Sequence, residues 1–93
     1  MAFDWDEEKN LLNIRKHGID FNDVPEMFRH PMLALRDERF DYEEARWISI
    51  GWINAWVSVV AYTERQGDVI RIISARRATR REVTRYVETI RKY

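Results

Sequence analysis

Between Arg46 and Ala75 the chain reads as three strands separated by two turns, and this block constrains the fold more than any other stretch. Arg46 to Ile53 alternates Ile48, Ile50 and Trp52 against Trp47, Ser49 and Gly51. Trp56 to Thr63 is almost continuously β-branched or aromatic, and Val69 to Ala75 is apolar on both faces. A pleated, half-buried surface favours such residues with period two. Asn54-Ala55 supplies a two-residue hairpin turn and Gln66-Gly67-Asp68 a second turn, so consecutive strands run antiparallel. The doubly apolar Val69 to Ala75 segment is expected at the sheet centre.

Around this block the period changes to that of helices. Thr79-Arg80-Arg81-Glu82 has capping-box spacing and is followed by Val83, Tyr86, Val87 and Ile90 on one face, which predicts a C-terminal helix. Asp6 to His17 reads as a helix with Leu11, Leu12 and Ile14 as its buried stripe, stopped by a cationic last turn and Gly18. A second helix fits Phe21 to Arg29, capped by Asp20 or Asn22, with Phe21, Val24, Met27 and Phe28 inward and Pro25 near the first turn. Phe3 to Trp5 suits an edge strand, Leu33 and Leu35 alternate as in a fourth strand, and Asp37 to Glu44 reads as an exposed acidic connection. The fold class is therefore α+β: an antiparallel sheet of three to four strands with two N-terminal helices and a C-terminal helix packed on it. Ninety-three residues, 45% of them apolar, suffice for one core, so residues 1–93 are expected to form a single domain.

Several chemistries are disfavoured at once. Without cysteine there are no disulfides, zinc-thiolate sites or iron-sulfur clusters, and with only two histidines neither a metal site nor a cofactor is expected. No P-loop, dinucleotide-binding glycine pattern or Ser-His-Asp order is present. No window approaches the roughly 18 apolar residues of a membrane span, and the charged start does not resemble a signal peptide, so a cytoplasmic protein without membrane contact is expected. The net charge of zero conceals an asymmetry: residues 1–44 carry twelve of the sixteen acidic side chains, whereas residues 65–93 carry nine basic side chains against three acidic ones. Anion recognition, if present, is local to the C-terminal third.

The chemically loaded segments are Tyr62-Thr63-Glu64-Arg65, ending one strand, and Arg71, Ser74, Arg76 and Arg77 on the next. Antiparallel pairing makes Arg65 and Arg71 near neighbours and sets Arg76 and Arg77 further along, leaving one site or two open. Converging guanidiniums suit phosphate oxygens, while an unselected cluster of this kind is also a solvated strand edge. Arg80, Arg81 and Arg85 oppose the dipole of the last helix, which favours either an RNA or acidic-partner surface or simple solubility. His17 can exchange protons near neutral pH or merely complement free helix carbonyls. Tyr62 and Tyr86 suit proton donation, base stacking or core packing, and Trp47, Trp52 and Trp56 suit either a partner-facing surface or core filling.

Two stretches together resemble the BrnT family of toxins from bacterial type II toxin-antitoxin modules. The first is Phe3-Asp4-Trp5-Asp6 with Lys9, Asn13, Lys16-His17-Gly18 and Phe21. The second is Tyr62-Thr63-Glu64-Arg65 followed by Arg71-Ile72-Ile73-Ser74-Ala75-Arg76-Arg77-Ala78-Thr79. The resemblance implies a RelE-like fold and a ribonuclease that arrests translation, with RNA, presented by the ribosome or another surface, as substrate. It also implies a BrnA-type ribbon-helix-helix antitoxin that pairs with the toxin in a hetero-oligomer and supplies the DNA contact. By motif position the candidate catalytic residues are Arg65, Arg76 and Arg77, with His17, Glu64 and Tyr62. The candidate RNA contacts are Arg71, Ser74, Arg80 and Arg81. A metal-independent endoribonuclease needs a base for the ribose 2′-hydroxyl, and since arginine stays protonated, that role falls to His17, Glu64 or a tyrosinate. A catalytically inert antitoxin-binding co-repressor is the competing reading.

Overall fold

The two turns of the strand block form as expected, with Asn54 and Gly67 both at positive φ. The computed structural model describes residues 1–92. In chain order it comprises β1 (Ala2–Asp4), α1 (Glu7–His17), a 3-10 helix (Phe21–Arg29), β2 (Leu33–Arg36), β3 (Arg46–Ile53), β4 (Trp56–Arg65), β5 (Val69–Arg77) and α2 (Arg80–Arg91). These strands make one five-stranded sheet in the order β1-β5-β4-β3-β2.

Two expectations about the sheet are corrected. It has five strands rather than three to four, and it is mixed, because β1 pairs parallel to β5 while the other pairs are antiparallel. Parallel entry follows from α1 and the 3-10 helix, which intervene between β1 and the meander and carry the chain across the sheet. The centre is β4, not β5. β5 pairs β1 only through Val69, Ile70 and Arg71, so its outer edge beyond Arg71 has no neighbouring strand.

Core packing divides by sheet face. Ile53 of β3, Val60 and Tyr62 of β4, and Ile70, Ile72 and Ala75 of β5 pack with Ile19 and with Phe21, Val24 and Met27 of the 3-10 helix. On the other face Ile50, Val57 and Val59 pack beneath Tyr86, with Val83, Val87 and Ile90 of α2 alongside. The Thr79/Glu82 capping box starts α2, and the Tyr86 hydroxyl donates to the Pro31 carbonyl at 2.8 Å. Gly51 admits Met27: a Cβ at this position would lie 2.9 Å from the Met27 Cγ.

The second helical segment keeps its expected bounds, with Asp20 as cap, but it is a 3-10 helix. Pro25 has no N–H to donate to the carbonyl four residues back, and its ring disfavours the α-helical spacing.

The largest correction concerns α1. Its cap at Asp6 and its left-handed stop at Gly18 form as expected. Leu11 and Leu12, however, are 59% and 61% exposed, Ile14 also lies outward, and the buried positions are Asn10 and Asn13. The reason is the open edge of β5. The Asn13 amide donates to the carbonyls of Ile19 and Ala75, and its oxygen accepts from the Ala75 N–H, so one side chain takes the place of the missing strand. Asn10 likewise accepts from the Phe21 N–H and donates to Asp20, fixing the chain where it turns into the 3-10 helix. No described helix is long and apolar enough to cross a membrane.

Candidate active site on the open sheet face

α2 covers only part of its sheet face. Where β3 begins and β4 ends, the strands remain uncovered and support an open groove of about 360 Å³. Arg46, Thr63, Arg65, Arg71 and Ile73 line it from the sheet, Lys9 from α1, and Tyr42, Glu43 and Glu44 from the connection before β3. Four cations thus face two carboxylates.

A single irregularity in β5 decides which β5 side chains share this face. Thr63 pairs with Arg71 and Tyr62 with Ile72, yet Ala61 pairs with Ser74, leaving Ile73 as an extra residue. Such a bulge shifts the alternation by one position. Arg71, Ser74 and Arg76 therefore share the groove face, whereas an unbroken strand would have grouped Arg71 with Ala75 and Arg77. Arg76 and Arg77 diverge. The Arg76 guanidinium grips both oxygens of Glu82 on α2 at 2.8 and 2.9 Å. Arg77 instead lies over the indole of Trp56, 3.7 Å from guanidinium carbon to ring centroid.

The groove arginines are held by exposed and half-exposed partners. Arg65 is 3.6 Å from Glu44, Arg71 is 3.3 Å from Asp4, and the Arg46 guanidinium sits 4.1 Å from the ring centroid of Tyr42. The Arg46 Nε is buried without a hydrogen-bond partner. The expectation of a wholly exposed Asp37 to Glu44 connection is corrected as well. Asp37 is buried and accepts from Arg39 and Tyr42, which bends the segment so that residues 42–44 reach the groove. The Arg39 guanidinium holds the Asp37 carboxyl well below the usual carboxylate range.

Of the residues expected to act, Arg65 and Arg71 meet in the groove, and Ser74 and Arg76 continue its face along β5. Tyr62 does not reach it. This side chain is 2% exposed in the opposite core, where its hydroxyl pairs with Ser49 at 2.8 Å and burial raises its pKa, which removes both a tyrosinate and a stacking platform. Glu64 pairs in register with Ile70 and so points to the Tyr62 face, not the groove. His17 is half-buried on the α1 stripe that carries Asn10 and Asn13 and is not part of the groove lining. Arg80 and Arg81 lie on α2, outside the groove, with Arg80 instead beside Trp52 and Trp56. Tyr86 is a core residue.

Sequence reasoning missed Lys9, Arg46 and Glu44. Lys9 carried a signal, since it precedes Asn13 by one helical turn within the opening motif and so rises beside the sheet edge that Asn13 grips. Arg46 stands opposite Thr63 in register. Glu44 lay in a stretch without periodicity, and only the Asp37 fold-back brings it to the site. Among the described residues no cluster of three or more His, Cys, Asp or Glu side chains is placed to hold a metal ion.

A family model described as the ribonuclease toxin BrnT of type II toxin-antitoxin systems matches residues 5–82. Among solved structures, the Brucella abortus ribonuclease toxin BrnT, a 1.1 Å crystal structure, superposes with a TM-score of 0.67 at 32% identity, covering 86% of this chain and 99% of that one. No curated protein sequence matches.

Proposed function

Because the chain belongs to the BrnT family of ribonuclease toxins of type II toxin-antitoxin systems, we propose that the cationic groove is where it cleaves RNA. The observation that carries this reading is the convergence of Lys9, Arg46, Arg65 and Arg71 around a cavity that also holds Glu44. Guanidiniums there bind a phosphodiester through paired N–H groups and hold the charge that builds on its oxygens as the bond is attacked.

The proton transfers fall to other groups. Glu44, whose carboxylate is within reach of Arg65, accepts the proton of the ribose 2′-hydroxyl as that oxygen bonds to phosphorus. Arg65, Arg71 and Arg46 stabilise the pentacovalent phosphorane. The Lys9 ammonium donates a proton to the departing 5′-oxygen, giving a 2′,3′-cyclic phosphate and a free 5′-hydroxyl. Tyr42 is committed to Asp37 and orients the loop that carries Glu44. Side chains supply every step, so the enzyme acts without a metal ion.

RNA cleavage in the cytoplasm would arrest translation, and an antitoxin would neutralise it by forming a complex with the chain. A ribbon-helix-helix partner of the BrnA type, binding DNA for both, fits this reading. The test is induction of the chain alone, followed by mapping of RNA ends. Growth arrest with new 2′,3′-cyclic phosphate ends is expected. Arrest without new ends, or no arrest, would reject ribonuclease activity. Size exclusion of the chain co-expressed with its antitoxin should give one peak, and two peaks from protected cells would reject sequestration.

A further inference from the structure

A second cationic surface lies at the far end of the same strands. At the β3-β4 hairpin, Trp52 and Trp56 are 43% and 50% exposed. With Ala55, Val57, Arg77, Ala78, Arg80 and Val83 they line a depression of about 490 Å³. Apart from the stacking of Arg77 on Trp56, two features of this corner have no partner within the fold. Large indoles are normally drawn into a core, yet these two stand in solvent next to one. Arg77 and Arg80 have no carboxylate among the residues lining the depression, and neither takes part in an ion pair among the described residues.

We propose that this corner is a nucleotide subsite, in which a base of single-stranded RNA stacks on the Trp52 and Trp56 indoles while Arg77 and Arg80 hold the adjoining phosphate. The proposal rests on the ribonuclease reading of the groove and extends it to a second point of contact. Half-exposed indoles, one of them carrying Arg77 on one face, beside guanidiniums with no carboxylate partner fit a ligand that is both aromatic and anionic, which describes a nucleotide better than an acidic peptide. Arg77, already layered on Trp56, extends the flat surface and keeps its in-plane N–H groups for phosphate oxygens.

Continuity with the groove supports the same ligand. Arg71, Ser74 and Arg76 lie on the groove face of β5, whereas Arg77, paired with Ser58, points to the other face, so an RNA strand leaving the groove passes round the end of β5 to meet Arg77 and, past the α2 cap, Arg80. Six residue steps separate Arg71 from Arg77, roughly 20 Å along the strand. A dinucleotide seated at the groove does not span that distance, whereas an octanucleotide does.

This difference in reach supplies the test. A 2′-O-methyl octanucleotide, which lacks the attacking hydroxyl, is titrated against the protein with tryptophan fluorescence as the signal, and a 2′-O-methyl dinucleotide serves as control. Wild-type fluorescence should be quenched by the octanucleotide alone. With affinities read by calorimetry, Trp56→Ala and Arg77→Gln should each weaken octanucleotide binding about tenfold or more with dinucleotide binding unaffected, and Trp56→Tyr should restore most of the loss. Should Trp56→Ala also lose the dinucleotide through misfolding, Arg77→Gln and Trp56→Tyr decide the matter. Unchanged octanucleotide affinity in Arg77→Gln overturns the proposal. So does quenching by a polyglutamate peptide as strong as that by the octanucleotide, which would mark a protein-binding surface. Cleavage of unmodified RNA by the wild type is measured in parallel. If it is present while the variants bind normally, the subsite alone is rejected; if it is absent, the ribonuclease reading itself fails.

Discussion

Asn13 on α1 bonds both backbone groups of Ala75 on β5, donating to the carbonyl at 2.9 Å and accepting from the N–H at 3.1 Å. These bonds dock the helix that carries Lys9 against the strand that carries Arg71, so the geometry of the groove depends on a side chain that never touches it.

Asn13→Ala should therefore destabilise the protein by about 2 to 4 kcal/mol, because the Ala75 N–H and the Ala75 and Ile19 carbonyls lose a buried partner together. Leu12→Ala, in contrast, should stay within about 0.5 kcal/mol, since that side chain is already in water. Urea denaturation of both variants checks this. Equal losses would mean that α1 docks through its leucines after all.

Within the groove, Glu44→Gln and Arg65→Ala should each lower the single-turnover cleavage rate about 100-fold or more. Glu64→Gln should leave it at the wild-type level, because Glu64 lies on the opposite sheet face. Rates on a short RNA, with melting curves alongside, distinguish the two acids. Loss of activity in Glu64→Gln with Glu44→Gln unimpaired would reverse the assignment of the base.

The Arg76-Glu82 pair predicts an acid limb in stability. Hydrogen bonds from Arg76, and then from the Thr79 backbone, hold the Glu82 carboxyl down at about 2, against an ordinary value of 4.5. The folded-state value is depressed, so the contribution is complete above about pH 4.5 and fades as pH falls toward 2. Allowing for solvent screening of a partly exposed pair, about 1 to 2 kcal/mol is at stake. Thermal melts across that interval should show a smaller pH dependence in Glu82→Gln than in wild type. Parallel curves would place the acid sensitivity elsewhere.

Chelation should not stop the reaction. RNA cleavage is expected to continue at an unchanged rate in excess EDTA, because the groove's own arginines and lysine occupy the electrostatic role a divalent ion would otherwise take. Loss of activity with an intact melting curve, restored by magnesium, would refute the proposed mechanism.

Much of the fold was legible because the relevant signals are local. The Asn54-Ala55 turn, the Thr79/Glu82 capping box and the Asp6 and Gly18 caps each act within a few residues, so their chemistry can be read in order along the chain. The α1 stripe was misread because Leu11, Leu12 and Ile14 have the hydrophobicity that helix burial normally selects, while the partner that buries Asn13 lies sixty-two positions away. Phe3 to Trp5 gave a strand, but not its direction, since a parallel neighbour is fixed by the path of the intervening helices.

The site itself followed a different rule. Local pattern was enough to place cations on β4, β5 and α2 and to pair Arg65 with Arg71 across a turn. It did not separate Arg76 from Arg77 or bring Lys9, Arg46 and Glu44 to one groove. Those outcomes depend on the bulge at Ile73, the fold-back around Asp37 and the docking of α1 through Asn13. Secondary structure answers to interactions between near neighbours in sequence. A site answers to which faces the packed elements leave uncovered, and that is settled only when the sheet edge, the helix and the loop compete for the same backbone groups.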